Sequence, residues 1–166
     1  MLSFLPDHIF QNITDISPDF LCSRELSLLL ADFDNTMLPY TTDIPSQELL
    51  DWMEKIKAAG ITLCIVSNSR KPRVPRFCEQ YGIMCITGAK KPGTRGVKEA
   101  LRRFSAEKNN TALVGDQIYT DVLCAKLSGV TALAVKSIHN HNIWLKLRHV
   151  LEVPFLAIAG KRRVKL

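Results

Sequence analysis

The sequence predicts an α/β fold in which a central parallel sheet lies between two layers of helices. Two observations indicate this fold. Five short runs are apolar throughout, as in strands buried on both faces, and segments with helical spacing of apolar residues separate them. The predicted strands are 26–31, 61–66, 83–86, 111–114 and 130–135. Because ligands bind beyond the carboxyl ends of such strands, polar residues at those ends form the candidate site.

Capping and turn residues delimit the helices between these strands. Ser46 can cap the first helix and Gly60 can end it, while Gly82 can end the second. The predicted helices are 46–59, 71–81, 94–104 and 121–127.

The length of 166 residues suits one domain. We expect residues 1–141 to form it, with 1–25 as a lead-in that packs on it, and 142–166 to form a basic carboxyl-terminal helix and tail. Five cysteines without a C-x-x-C pair favour reduced thiols over a disulfide frame or a zinc site. Pro6 and Asp7 interrupt the apolar start of the chain before a signal-peptide core forms, so we expect a cytoplasmic protein.

The net charge of +6 belongs to the end of the chain. Residues 136–166 hold seven basic residues and one acidic residue, whereas the preceding residues balance to zero. A helix followed by Lys161-Arg162-Arg163 can contact an anionic membrane, or it can pack on the domain with a solvated basic end. No interleaving of aromatic and basic residues supports a nucleic-acid partner, so we expect none.

Two carboxylates, Asp32 and Asp34, directly follow the first predicted strand. Alternate residues of a strand point to the same side, so both side chains can face one small volume. They repel each other unless a cation lies between them, and oxygen ligands without nearby His or Cys suit Mg²⁺. The alternative is a polar turn after a buried strand.

The next two strands also end in polar residues. Ser67 and Asn68 follow the second strand, where a hydroxyl, an amide and backbone N–H groups can bind phosphate oxygens. A helix cap is the alternative there. Lys90 and Lys91 follow the third strand, where a lysine can neutralise a phosphate and an attacking carboxylate, although surface lysines are common.

The fourth predicted strand leads into Gly115, Asp116 and, five residues later, Asp121. Gly115 allows the backbone to approach closely, and Asp116 lies where it can complete a metal site with Asp32. Asp121 can orient metal-bound water and the lysine, or it can simply cap the next helix.

In this order, the four segments resemble the four motifs of the haloacid dehalogenase-like (HAD) hydrolases. Further segments resemble the YqeG-type subgroup of class III (capless) HAD phosphatases, which is related to phosphatidylglycerophosphate phosphatases. These segments are Phe4-Leu5-Pro6-Asp7, Asp15-Ile16-Ser17-Pro18, Ala89-Lys90-Lys91-Pro92 and Gly115-Asp116-Gln117-Ile118-Tyr119-Thr120-Asp121. The resemblance implies a Rossmann-like (HAD-like) three-layer sandwich.

The resemblance also implies a Mg²⁺-dependent phosphatase that forms an aspartyl-phosphate. Asp32 would be the nucleophile, and Asp34 would act as acid and then as base. Ser67 would hold the phosphoryl oxygens. Lys91, rather than Lys90, would balance their charge, because it directly precedes a proline.

Metal and phosphate ligands follow from the same resemblance. The carboxylates of Asp32 and Asp116 and the backbone carbonyl of Asp34 would hold Mg²⁺, with Gly115 and Asp121 in support. The candidate phosphate-binding residues are Asn35, Ser67, Asn68 and Lys91.

The chain leaves no room for a cap domain. Only 32 residues separate Asp34 from Ser67, and 23 separate Ser67 from Lys91. We therefore expect an open site for a bulky phosphorylated substrate, such as the lipid phosphatidylglycerophosphate. A second copy of the chain can act as a lid, and the basic tail can hold the protein at the inner face of the membrane.

Two other functions fit parts of the pattern. A receiver-like signalling domain also combines acids, a hydroxyl and a lysine, but its phosphorylated aspartate would follow the third strand, where this chain has none. A non-catalytic phosphate-binding domain is the other alternative.

Overall fold

The computed structural model describes residues 5–138, which form one six-stranded parallel sheet. Its strands are β1 (His8–Phe10), β2 (Leu28–Ala31), β3 (Thr62–Val66), β4 (Met84–Ile86), β5 (Thr111–Gly115) and β6 (Thr131–Val135). The order across the sheet is β1-β6-β5-β2-β3-β4. The predicted parallel sheet is confirmed, and β2 lies at its centre between β5 and β3.

Five α-helices connect the strands. They are α1 (Pro18–Cys22), α2 (Gln47–Ala58), α3 (Arg73–Tyr81), α4 (Arg95–Phe104) and α5 (Leu123–Ser128). A 3₁₀ turn covers Ile13–Asp15, and a π-helical turn at Ile118–Val122 leads into α5. The helix predicted over 121–127 thus begins as this π turn.

Alternating strand residues build two cores, one on each face of the sheet. Leu29 and Ala31 of β2 belong to the core that includes the buried residues of α1, α2 and α3. Leu28 and Leu30 belong to the core that includes buried residues of α4 and α5. Since strand side chains alternate between faces, an unbroken apolar run is what a strand between two helical layers requires.

Local signals in the sequence place the ends of the helices. The Ser46 hydroxyl accepts a hydrogen bond from the backbone N–H of Leu49 at 3.2 Å, which caps α2 as predicted. Gly82 ends α3 with a φ of +65°, a conformation that favours glycine.

The edge strand β1 is absent from the sequence-based prediction, which had only a packed lead-in over residues 1–25. β1 has three residues and pairs with β6 alone, and its side chains are partly exposed, so it lacks the apolar run that marks the inner strands. The Asp7 carboxylate stabilises this edge by accepting a hydrogen bond from Ala132 N and by pairing with Lys126.

No insertion within residues 5–138 covers the carboxyl edge of the sheet. Within residues 5–138, α2 is the one helix between β2 and β3, and α3 is the one helix between β3 and β4. This is the capless arrangement predicted from the spacing. No helix in that part of the chain has the length and hydropathy to cross a bilayer. The predicted helix and tail at 142–166 lie outside the described residues.

Candidate active site

The ends of β2, β3 and β5 bring the predicted polar residues to one edge of the sheet. Ala31 pairs with Ile65 and Val114, and Asp32 N donates to Val114 O at 2.9 Å. The residues that follow these strands therefore meet around a cleft of about 390 Å³. Its lining residues are Asp32, Asp34, Tyr40, Ser67, Asn68, Ser69, Lys71, Arg73, Lys91, Gln117, Thr120 and Asp121.

A buried lysine joins two carboxylates at the base of this cleft. Lys91 Nζ lies 2.6 Å from Asp32 Oδ1 and 2.6 Å from Asp121 Oδ1. Lys91 is only 6% exposed. Burial alone would lower its pKa, but the two carboxylates raise that pKa well above its ordinary value, so the lysine is charged. Lys90 is exposed outside the cleft, so of the two lysines it is Lys91 that lies beside Asp32.

The position of Lys91 depends on Asn68. The Asn68 carboxamide accepts from Lys91 N at 2.6 Å and donates to Lys91 O at 3.0 Å. Asn68, predicted as a phosphate ligand, lines the cleft, but its amide binds the lysine loop. It acts there as a positioning residue.

Three buried carboxylates lie within reach of one cation. Asp32, Asp116 and Asp121 each offer an oxygen, and these atoms lie within 4.8 Å of one another. The Thr36 hydroxyl lies 3.3 Å from Asp116 Oδ1 and 3.5 Å from Asp32 Oδ2. Burial raises the pKa of Asp116, and the neighbouring Asp32 adds to the rise. A hard divalent cation fits this all-oxygen set and would relieve the repulsion.

Gly115 is required where Asp121 approaches the end of β5. A Cβ at residue 115 would lie 2.3 Å from the Asp121 carboxyl carbon, closer than any contact between atoms allows. Asp121 Oδ2 also accepts from Gln117 N at 3.1 Å. Burial raises the pKa of Asp121, against the opposing effect of Lys91. The predicted supporting role of both residues thus has a geometric basis.

Ser67 follows β3 and is almost fully buried at the cleft. Its hydroxyl oxygen accepts from Ser69 N at 3.1 Å, which leaves its own proton for an acceptor in the cleft. A phosphate oxygen is such an acceptor.

Asn35, also predicted as a phosphate ligand, is not among the cleft-lining residues. It adopts a φ of +62° in the turn after β2. Asn35 N donates to Leu38 O at 2.7 Å, and Asn35 O accepts from Ile138 N at 3.1 Å. The first bond closes the turn, and the second ties it to the segment that follows β6.

Arg73, at the start of α3, is a site residue that the sequence-based prediction missed. Its Nη1 donates to Asp34 Oδ1 at 2.6 Å, and its Nη2 donates to the backbone carbonyls of Pro39 and Thr42. Burial raises the pKa of Asp34, Arg73 opposes that rise, and the Asp32 charge adds to it. Arg73 therefore fixes one oxygen of Asp34 and ties it to the loop before α2.

Spacing alone does not reveal this arginine, because its side chain reaches 39 residues back along the chain to Asp34. One available signal is its position. A cationic residue in the first turn of a helix is unfavourable with respect to the helix dipole, and the Asp34 carboxylate offsets this cost for Arg73. The sequence-based prediction also missed Thr36, whose hydroxyl lies beside the carboxylates of Asp32 and Asp116.

Comparison with known proteins agrees with this geometry. A model of the haloacid dehalogenase-like hydrolases matches residues 29–135. The chain is 35% identical over 132 residues to "Probable phosphatase YqeG" of Bacillus subtilis (strain 168), covering 80% of this chain and 77% of that protein.

Solved structures share the fold. The cobalt-bound deoxy-D-mannose-octulosonate 8-phosphate phosphatase of Haemophilus influenzae superposes with a TM-score of 0.54 at 16% identity, covering 74% of each chain. The 3-deoxy-D-manno-octulosonate 8-phosphate phosphatase of Yersinia pestis gives 0.54 at 15% identity, covering 75% of this chain and 70% of that one. The sequence match, the fold and the order of site residues lead to one conclusion: this chain belongs to the haloacid dehalogenase-like hydrolases.

Proposed function

We propose that this phosphatase hydrolyses phosphomonoesters through a phosphorylated Asp32, with Mg²⁺ as cofactor. The observation that supports it most directly is the buried Asp32 carboxylate, held 2.6 Å from a charged lysine at the base of an open cleft. A carboxylate oxygen of Asp32 attacks phosphorus, and the bond from phosphorus to the ester oxygen breaks. Lys91 and the Ser67 hydroxyl stabilise the charge on the transferred phosphoryl oxygens.

Asp34 moves the protons in both steps. In the first, its carboxyl group gives a proton to the departing ester oxygen; in the second, its carboxylate takes a proton from water. That water attacks phosphorus, the bond to Asp32 breaks, and phosphate leaves. Because Arg73 holds Oδ1 of Asp34, Oδ2 is the oxygen that exchanges the proton.

The metal ligands would be the carboxylates of Asp32 and Asp116 and the backbone carbonyl of Asp34. Magnesium bound there would neutralise charge on the phosphoryl group. Two of these ligands, Asp32 and Asp116, belong to the buried carboxylate cluster, and hard cations such as Mg²⁺ prefer oxygen ligands.

Phosphate release from a soluble phosphomonoester tests the proposal. The wild-type chain should release phosphate with Mg²⁺ and lose this activity in a chelator. Asp32→Asn should abolish release while preserving the far-ultraviolet circular dichroism spectrum. Undiminished turnover in that variant would remove Asp32 as the nucleophile.

The substrate we propose is a bulky phosphomonoester, specifically a lipid such as phosphatidylglycerophosphate. The lack of a cap within residues 5–138 supports a large substrate. The basic residues of 136–166 favour contact with an anionic membrane from the cytoplasmic side. A screen should compare soluble sugar and nucleotide phosphates with phosphatidylglycerophosphate in vesicles. A strong preference for small soluble esters would contradict the lipid assignment. A second copy acting as a lid stays a prediction.

A further inference from the structure

A second, smaller pocket adjoins the catalytic cleft at the same edge of the sheet. It has a volume of about 300 Å³. Its charged lining residues are Arg70, Lys90, Arg95 and Glu99. Because it lies beyond the ends of β3 and β4, it neighbours the place where a substrate phosphate would bind.

The two loops that build the catalytic cleft also build this pocket. After β3, Ser69 and Lys71 line the cleft while Arg70 lines the pocket. After β4, Lys91 lines the cleft while Lys90, with a φ of +57°, lines the pocket. Consecutive residues thus face two adjoining cavities.

Backbone hydrogen bonds fix these loops against each other. Gly88 N donates to Ser69 O at 3.1 Å, and Ala89 N donates to Ser67 O at 3.0 Å. The Arg70 side chain lies across Gly88, where an added Cβ would meet its Nε at 3.1 Å. These hydrogen bonds therefore hold the pocket and the cleft at a fixed distance from each other.

The pocket is positively charged and lacks neutralising partners. Arg70, Lys90 and Arg95 form no side-chain hydrogen bond or ion pair with any residue between 5 and 138. The one acid of the pocket, Glu99, pairs with Arg103 instead. Three cations around one cavity repel each other unless an anion binds among them.

Helix α4 adds to this positive potential. It has ten residues, carries no acid in its first turn, and begins at Arg95 beside the pocket. Gly96 lets the helix pack closely, since a Cβ there would lie 2.7 Å from the Ala89 Cβ. The positive end of the helix dipole therefore faces the same cavity as the three basic side chains.

We propose that this pocket binds a second anionic phosphate group, next to the phosphoryl group that Asp32 attacks. The proposal rests on the proposed phosphatase function and deepens it by defining the substrate class. That class is phosphomonoesters that carry a further phosphate, either a diester or a second monoester. Free inorganic phosphate has the same chemistry and is the other source of the bound group.

Substrate selectivity tests the proposal. The ratio of kcat/KM for a sugar bisphosphate to kcat/KM for the matched sugar monophosphate should be measured in wild type, in Arg70→Gln and in the triple variant Arg70→Gln/Lys90→Gln/Arg95→Gln. Loss of charge-assisted hydrogen bonds should lower this ratio by about tenfold in the single variant and about a hundredfold in the triple. Lys98→Gln is the matched control, since it removes a positive charge from α4 outside the pocket and should leave the ratio unchanged.

A second measurement separates the two sources of phosphate. Inhibition of monophosphate hydrolysis by inorganic phosphate should be compared between wild type and the triple variant. A changed inhibition pattern with an unchanged selectivity ratio would assign the pocket to free phosphate. If neither quantity changes, the proposal is wrong. If wild type hydrolyses neither ester, the proposed function itself fails, and the two failures are thus distinguishable.

Discussion

Replacing Lys91 by methionine should destabilise the protein as well as inactivate it. The lysine contacts two carboxylates at 2.6 Å each, and Asp121 is only 1% exposed. Removing one partner of a buried ion pair costs about 3–5 kcal/mol, because a buried charge stays behind. In a domain of this size each kcal/mol shifts the melting temperature by about 2–4 °C, so Lys91→Met should melt about 6–20 °C below wild type.

The loss of stability should depend on pH in a defined direction. Burial raises the pKa of Asp121, and loss of the lysine would raise it further. A raised pKa in the folded state favours folding at low pH, and this contribution disappears as the pH rises through that pKa. Lys91→Met should therefore be most destabilised near neutral pH and approach wild type in acid.

Thermal unfolding in a chelating buffer across this pH range provides the assay. Lys90→Met is the matched control, since Lys90 is exposed and its change should alter the free energy of unfolding by no more than about 0.5 kcal/mol. Adding Asp121→Asn to Lys91→Met should restore part of the lost melting temperature, because it removes a buried carboxylate that has lost its lysine partner. If Lys91→Met and wild type have the same melting temperature near neutral pH, the reasoning is refuted.

Three further predictions concern other parts of the structure. Gly115→Ala should lower the free energy of unfolding by about 1–3 kcal/mol and reduce kcat, because the new methyl group displaces Asp121. Denaturant unfolding measures the first effect and steady-state kinetics the second. Arg73→Lys should lower kcat by about tenfold or more, since a lysine cannot donate to Asp34 and to the carbonyls of Pro39 and Thr42 as the guanidinium does, and a kcat equal to wild type would contradict the positioning role. Burial raises the pKa of the Cys64 thiol to about 12, so Cys64 should resist alkylation of the native protein near neutral pH while the exposed Cys22 reacts, as peptide mapping would show.

Much of this fold is visible in the sequence because β2 to β6 sit between two helical layers. The central strands β2 and β5 are buried throughout, and most residues of β3 and β6 are buried too, so these strands have mostly apolar sequences. The edge strand β1 has no such constraint, and its three residues give no comparable signal.

The site was predictable wherever topology alone decides position. Asp32, Ser67 and Asp116 follow parallel neighbouring strands, so their convergence needs no knowledge of side-chain conformation. The local detail was not predictable. The amide of Asn68 binds the lysine loop, and Arg73 reaches Asp34 through a long side chain from another element. Such contacts depend on rotamers and turn geometry that a residue pattern does not encode.

The central claim is that Asp32 carries the phosphoryl group between the two chemical steps. It is tested most directly by quenching the enzyme with acid during turnover with Mg²⁺ and mapping phosphorylated peptides by mass spectrometry. We expect one phosphoryl group on the peptide that contains Asp32 in wild type, and none in Asp32→Asn. Sustained phosphate release from an Asp32→Asn protein, or a phosphoryl group found on a different residue, would contradict the claim.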